Sequence, residues 1–152
     1  MRGPKVTKGY WKDPEKTAAS FHAGGWFRSG DVGTMDAEGF LRITDRKKDM
    51  ILSGGENIAS SEVERVIFQL PQVLDAAVIG VADPDWGERP VAVVVPKPGE
   101  TLTLEALAEH CGKHLARFKV PRALHLADEL PRNPSGKVLK RALRETFAAG
   151  KA

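Results

Sequence analysis

Two short apolar runs, AAVIGV at 76–81 and PVAVVV at 90–95, constrain this chain most. Both are continuous, rich in β-branched residues and separated by the polar stretch ADPDWGER, a pattern that predicts two buried strands. On either side lie segments with helical spacing. Val63, Val66, Ile67 and Leu70 repeat as one face until Pro71, behind Ser61 and Glu64 in the S-x-x-E arrangement of a capping box. Leu104, Leu107, Ala108, Cys111 and Leu115 form a second apolar face, with acids early and Lys113 and Arg117 late, as the helix dipole favours. RALHLADEL predicts a further strand, and Leu139, Leu143 and Phe147 a last helix beginning near Lys137. The sum is an α+β domain, a small sheet with amphipathic helices packed on it.

The N-terminal part is different. Asp36 to Gly39 separates VGTM from FLRI, a β-hairpin signal, whereas little in the first thirty residues predicts a self-sufficient element. The charged string DRKKD, residues 45–49, predicts an exposed linker or hinge.

At 152 residues the chain is long enough to bury roughly 68–70% of its unfolded surface. With 41% hydrophobic and 28% charged residues it has the composition of a soluble globular protein. No apolar run approaches bilayer length, and the polar start MRGPKVTKGYWKD has no signal-peptide core, so a cytoplasmic location is expected. The single cysteine, Cys111, excludes an internal disulfide and a multi-thiolate metal site, and no metal-ligand set is read elsewhere. The net charge of +3 is uneven: from Gly112 onward ten Lys or Arg face three Asp or Glu, a balance of +7 that leaves −4 for the rest. A basic C-terminal quarter suits polyphosphates, nucleic acid or an acidic protein surface.

Within that quarter, PRNPSGKVLK places Lys137 after a Pro-Ser-Gly turn. A phosphate-binding loop of the Walker type needs two glycines flanking four residues and a Ser or Thr after the lysine. Here Val138 follows. Any chemistry at Lys137 is therefore that of a single mobile ammonium.

Five motifs in order, GYWKDPEKT, GWFRSGDVG, DRKKDMILSGGENIASSEVE, DPDWGERPVAVVV and LPRNPSGKVLK, closely resemble the C-terminal end of AMP-forming acyl-CoA ligases, in the adenylate-forming superfamily that includes luciferases and peptide-synthetase adenylation domains. The resemblance covers essentially the whole chain. It implies a remnant of a large N-terminal domain in residues 1–44 and a mobile lid in 45–152, the pivot lying near 46–49. The rest of the large domain, with its phosphate loop and acyl pocket, has no counterpart here, so the chain is expected to be inactive alone.

The resemblance further implies ATP and coenzyme A as ligands of the intact enzyme, with Mg2+ held mainly by the missing domain. Lys137 matches the lysine that bridges carboxylate and α-phosphate during adenylate formation, a task suited to a compact point charge. Asp31 matches the aspartate that binds the ribose hydroxyls, Arg46 the arginine beside it, and Lys48 the pivot. Gly54 and Gly55 match the backbone wall of the pantetheine tunnel, with Trp86 as a second wall; Phe118, Lys119 and Arg122 are candidates for the nucleotide end of coenzyme A. Two alternatives stay open. One is an adenylation domain loading a carrier protein; the other is a non-catalytic basic module binding nucleic acid, against which the lack of interleaved aromatic residues argues. The carboxylic acid itself is not legible.

Overall fold

The computed structural model describes residues 1–147. The chain divides into two compact units, Met1–Asp31 and Val32–Ala152.

The first unit has local order that the sequence reading did not anticipate. Helix α1 (Pro14–Ala19) starts where Asp13 Oδ1 accepts from the Lys16 N–H at 2.9 Å, and proline fills the first helical position, where no N–H is needed. Strands β1 (Phe21–His22) and β2 (Trp26–Phe27) pair antiparallel around Gly24 and Gly25, with the Phe21 and Phe27 rings 5.3 Å apart.

The second unit holds all but the first residue of β3 (Asp31–Met35), and β4 (Leu41–Arg46); the two form a two-stranded sheet turned at Asp36–Gly39 as expected. One turn of 3-10 helix, Lys47–Asp49, leads to β5 (Ile51–Ser53), β6 (Glu56–Ile58) and α2 (Ser60–Ile67). Then come β7 (Val73–Asp83), β8 (Gly87–Pro96), α3 (Leu104–His114), β9 (Ala123–Leu126) and α4 (Lys140–Phe147). The long β7–β8 antiparallel ladder is the frame. On the other edge of β8, β9 pairs parallel along Val91–Val94, and β5 attaches only at its start, through Ser53 opposite Gly87.

This frame explains the unbroken apolar runs. Successive side chains of a strand face opposite ways, and here both faces are covered. Ala76, Val78, Ala92 and Val94 join Val63, Ile67, Leu107 and Cys111 of α2 and α3 in one core, while Ala77, Ile79, Val91 and Val93 join Leu130 and Leu143 of α4 in another. No helix among the described residues is long and apolar enough to cross a membrane.

Three local expectations are corrected. The capping box does not form: the N-cap of α2 is Ala59, Ser61 Oγ donates to the Thr44 carbonyl at 2.6 Å, and Glu64 Oε1 accepts from the Val78 N–H at 2.8 Å. Tertiary partners outbid the local ones. The DRKKD string is not simply exposed, because Asp49 is buried against the Arg144 guanidinium at 3.5 Å. The last helix starts at Lys140, three residues after Lys137, since residues 131–139 are held in a loop of their own.

Candidate functional site

Asn133 builds the loop that carries Lys137. Its side-chain oxygen accepts from the Ser135 N–H (3.1 Å), the Ser135 hydroxyl (2.8 Å) and the Lys137 N–H (2.8 Å), an Asx turn closed by the Asn133 N–H to the Lys137 carbonyl at 2.9 Å. Gly136 takes φ +80°, which a Cβ would resist. Arg132 then fixes the loop to the sheet, one guanidinium nitrogen donating to the Gly136 carbonyl and the other to Asp75 at the start of β7. The backbone of Lys137 is thus fully engaged. Its ammonium has no hydrogen-bond or ion-pair partner among the described residues, and it projects from a braced turn. The Pro-Ser-Gly turn is legible in the sequence, whereas the parts played by Asn133 and Arg132 are not read from it; the Asn-Pro-Ser-Gly string is the available signal.

The second group forms at the far end of β7. The Gly54 N–H donates to the Trp86 carbonyl at 2.8 Å, and the Trp86 ring lies so close that a Cβ on Gly54 would meet it at 2.6 Å. Gly54 and Gly55 both take positive φ, +59° and +85°, and a Cβ on Gly55 would have nothing within 4 Å. On another side, the Arg122 guanidinium sits 4.6 Å from the Trp86 ring centre. Trp86, Arg117, Pro121 and Arg122 line an open cleft of about 650 Å³ with Ala108, Gly112 and Leu115. Glu88, unremarked in the sequence, supports this group: its carboxylate accepts from the Leu52 N–H at 2.9 Å, replacing the ladder bond that β5 lacks there, and fits because Gly80 has no side chain.

The structure brings Gly54, Trp86 and Arg122 together. It does not bring Lys119 to them, because both carboxylate oxygens of Glu62 hold the Lys119 ammonium at 2.8 Å. Phe118 packs half-buried against the α2–α3 core. At the expected pivot, Lys48 is exposed and its carbonyl accepts from Arg144 at 3.2 Å. The Arg46 carbonyl accepts from the Met50 N–H, and the Asp31 N–H donates to Ser29 Oγ at 3.3 Å; both residues make further contacts.

The basic excess also finds its explanation. Lys119, Arg132, Lys140 and Arg144 pair with Glu62, Asp75, Glu64 and Asp49, all from the acidic part of the chain. Four of the ten basic residues of the C-terminal quarter thus serve internal neutralisation across the fold rather than an exposed surface for polyanions. Lys140 Nζ reaches Glu64 at 2.6 Å, yet burial is the larger influence and holds the Glu64 carboxyl above its ordinary pKa despite the lysine.

Asp75 and Asp83 mark the two ends of β7, so the lysine loop and the glycine–tryptophan group are separated by roughly 26 Å of strand. The sequence profile of the AMP-binding enzyme C-terminal domain matches residues 62–137, half of the chain. The chain belongs to the AMP-binding enzyme C-terminal domain family. It is 51% identical over 145 residues to a 3-[(3aS,4S,7aS)-7a-methyl-1,5-dioxo-octahydro-1H-inden-4-yl]propanoyl:CoA ligase of Rhodococcus jostii, across 95% of this chain and 28% of that protein. Identity to the long-chain-fatty-acid–CoA ligase FadD13 of Mycobacterium tuberculosis is 49% over 144 residues, with the same shares. ATP-bound MatB from Rhodopseudomonas palustris matches with a TM-score of 0.91 at 41% identity, covering 99% of this chain and 30% of that one. As an AMP-binding enzyme C-terminal domain, the chain therefore spans less than a third of the relatives it matches.

Proposed function

We propose that this chain is the mobile lid of an ATP-dependent, AMP-forming carboxylate–CoA ligase, with residues 45–152 swinging about Lys48 and residues 1–44 belonging to the larger body. The observation that carries the reading is the placement of the two surfaces at opposite ends of β7. One orientation cannot offer both to a single reaction centre, so one lid serves two half-reactions in turn.

In the first, Lys137 enters with its ammonium uncommitted and neutralises oxygens of the carboxylate and the ATP α-phosphate as the acyl-adenylate forms and pyrophosphate leaves. Asp31 and Arg46 serve the ribose side. In the second, the Gly54–Gly55 backbone and Trp86 form walls past which the pantetheine arm of coenzyme A reaches the adenylate; its thiol displaces AMP to give the thioester. Gly55, with open space where a Cβ would stand, fits a backbone that a ligand approaches closely. Arg122, stacked on Trp86, remains the cation of this group for the nucleotide end of coenzyme A, and Lys119 is reserved for Glu62. Among the described residues no cluster of three His, Cys, Asp or Glu could hold a metal.

The test is a carboxylic-acid screen on the full-length enzyme, following AMP and thioester release. Acid-dependent formation of both supports the reading; an enzyme that forms no adenylate with any acid overturns it. The 152-residue chain alone is expected to show no ATP–pyrophosphate exchange.

A further inference from the structure

Rotation about Lys48 carries everything C-terminal to it and leaves the β3–β4 hairpin behind, so contacts sort into those that survive a swing and those that do not. This sorting rests on the pivot reading above. The Arg144–Asp49 pair lies wholly on the moving side and survives. The contacts between the end of β4 and the start of α2 do not: Ser60 Oγ donates to Asp45 Oδ2 at 2.9 Å, the Ser61 N–H donates to the same oxygen at 3.1 Å, and Ser61 Oγ donates to the Thr44 carbonyl.

These contacts replace a missing local cap. Ala59, at the N-cap of α2, has no acceptor, whereas the half-buried Asp45 carboxylate brings negative charge to the helix end where exposed N–H groups gather. Ser60 is fully buried, and its hydroxyl also receives the Lys140 ammonium at 2.6 Å. A continuous chain, Lys140 to Ser60 to Asp45, thereby joins the first residue of α4, just beyond the Lys137 loop, to the strand that precedes the pivot.

We infer that Asp45 is a positioning residue, a detachable N-cap that holds the lid in the orientation seen here and is released whenever the lid swings. A contact biases a two-state equilibrium only if it differs between the states, and this one is present in one orientation and absent after rotation. Loss of an N-cap acceptor is worth a factor of about 2 to 30 in such an equilibrium.

The chain itself serves for the test. Glu38, in the β3–β4 turn, and Glu105, in α3, are exposed, while Cys111 is buried, so Glu38→Cys with Glu105→Cys accepts a pair of spin labels. Pulsed dipolar spectroscopy should give one dominant distance in the parent and, in Asp45→Ala, transfer of population to a second distance by about 2- to 30-fold. Asp45→Asn, which keeps an acceptor oxygen, should fall between them. An Asp45→Ala distribution identical to the parent overturns the inference. If Asp45→Ala does not fold, by circular dichroism, Ser60→Ala decides: it removes the hydroxyl that donates to Asp45 Oδ2 and leaves Lys140 its Glu64 partner, and a shift toward the second distance supports the cap while an unchanged distribution overturns it. Lys48→Pro separates this inference from the reading beneath it. A distribution altered by Lys48→Pro but not by Asp45→Ala leaves the pivot standing and removes the cap; indifference to both removes the pivot as well.

Discussion

The Trp86 ring lies across Gly54 so closely that a Cβ there would stand 2.6 Å from a ring carbon, whereas the neighbouring Gly55 faces open space. Two adjacent glycines are thus required for different reasons. Gly54→Ala must displace the indole as well as adopt a left-handed φ of +59°, and should cost about 2–3 kcal/mol in a urea melt and disturb Trp86 fluorescence. Gly55→Ala carries only the conformational strain, about 1–2 kcal/mol, with Trp86 emission unchanged. In the full-length enzyme, Gly55→Leu should slow thioester formation from a supplied acyl-adenylate while leaving adenylate formation intact. Equal loss in both halves would show that Gly55 is needed only for folding.

Lys137 gives the opposite pattern. Because its ammonium holds nothing within the described chain, Lys137→Ala should leave the melting midpoint unchanged. Adenylate formation should fall by about 10²–10³-fold, the loss expected for one preorganised transition-state donor, with thioester formation spared. Asn133→Ala, which removes the acceptor for Ser135 and the Lys137 N–H, should lower the same half-reaction by about ten- to a hundredfold through misplacement. Single-turnover kinetics of each half-reaction reads both. A uniform slowing by Lys137→Ala would make that residue structural.

Lys140 and Glu64 make a pH-dependent prediction. Burial raises the Glu64 pKa and Lys140 opposes it, so Lys140→Met should raise it further. A carboxyl whose folded pKa exceeds the unfolded value contributes most stability below the ordinary value of 4.5, and that contribution is lost as pH rises through the folded value. The deficit of Lys140→Met should therefore be small at pH 4 and grow to about 3 kcal/mol at neutral pH, the lower end for a broken buried pair because both side chains retain some solvent contact. Urea midpoints at the two pH values measure it; a deficit independent of pH would show that Glu64 does not titrate in this range.

Cys111 is fully buried, and burial pushes its thiol up to about 11 from 9.0. It should resist thiol reagents at pH 8 until the chain unfolds, as monitored by absorbance through a denaturant titration. Its contribution to stability is present below pH 9 and is lost as pH rises through 11. Rapid labelling of the native chain would contradict the core placement.

Much of the fold is legible from periodicity alone. The runs at 76–81 and 90–95 are buried strands, the repeats around Val63 and Leu107 mark the inward faces of α2 and α3, and Cys111 is a core residue. Motif order points to the family that the profile match shows. Periodicity reports which way a side chain faces because backbone geometry is local; it does not report what the side chain meets.

Pairing over long sequence separations was decided only by the tertiary structure. The S-x-x-E string around Ser61 and Glu64 is a sound local signal, yet Thr44, Asp45, Val78 and Lys140 take its donors and acceptors instead. Lys119 reads as a free cation until Glu62, 57 residues away, is folded beside it. Asn133 and Glu88 became visible as supports for the lysine loop and the glycine–tryptophan group only when their hydrogen-bond partners were in place. A polar side chain's role depends on which acceptor or donor lies within about 3 Å of it, and the packing of β7 against its two helical layers sets those distances.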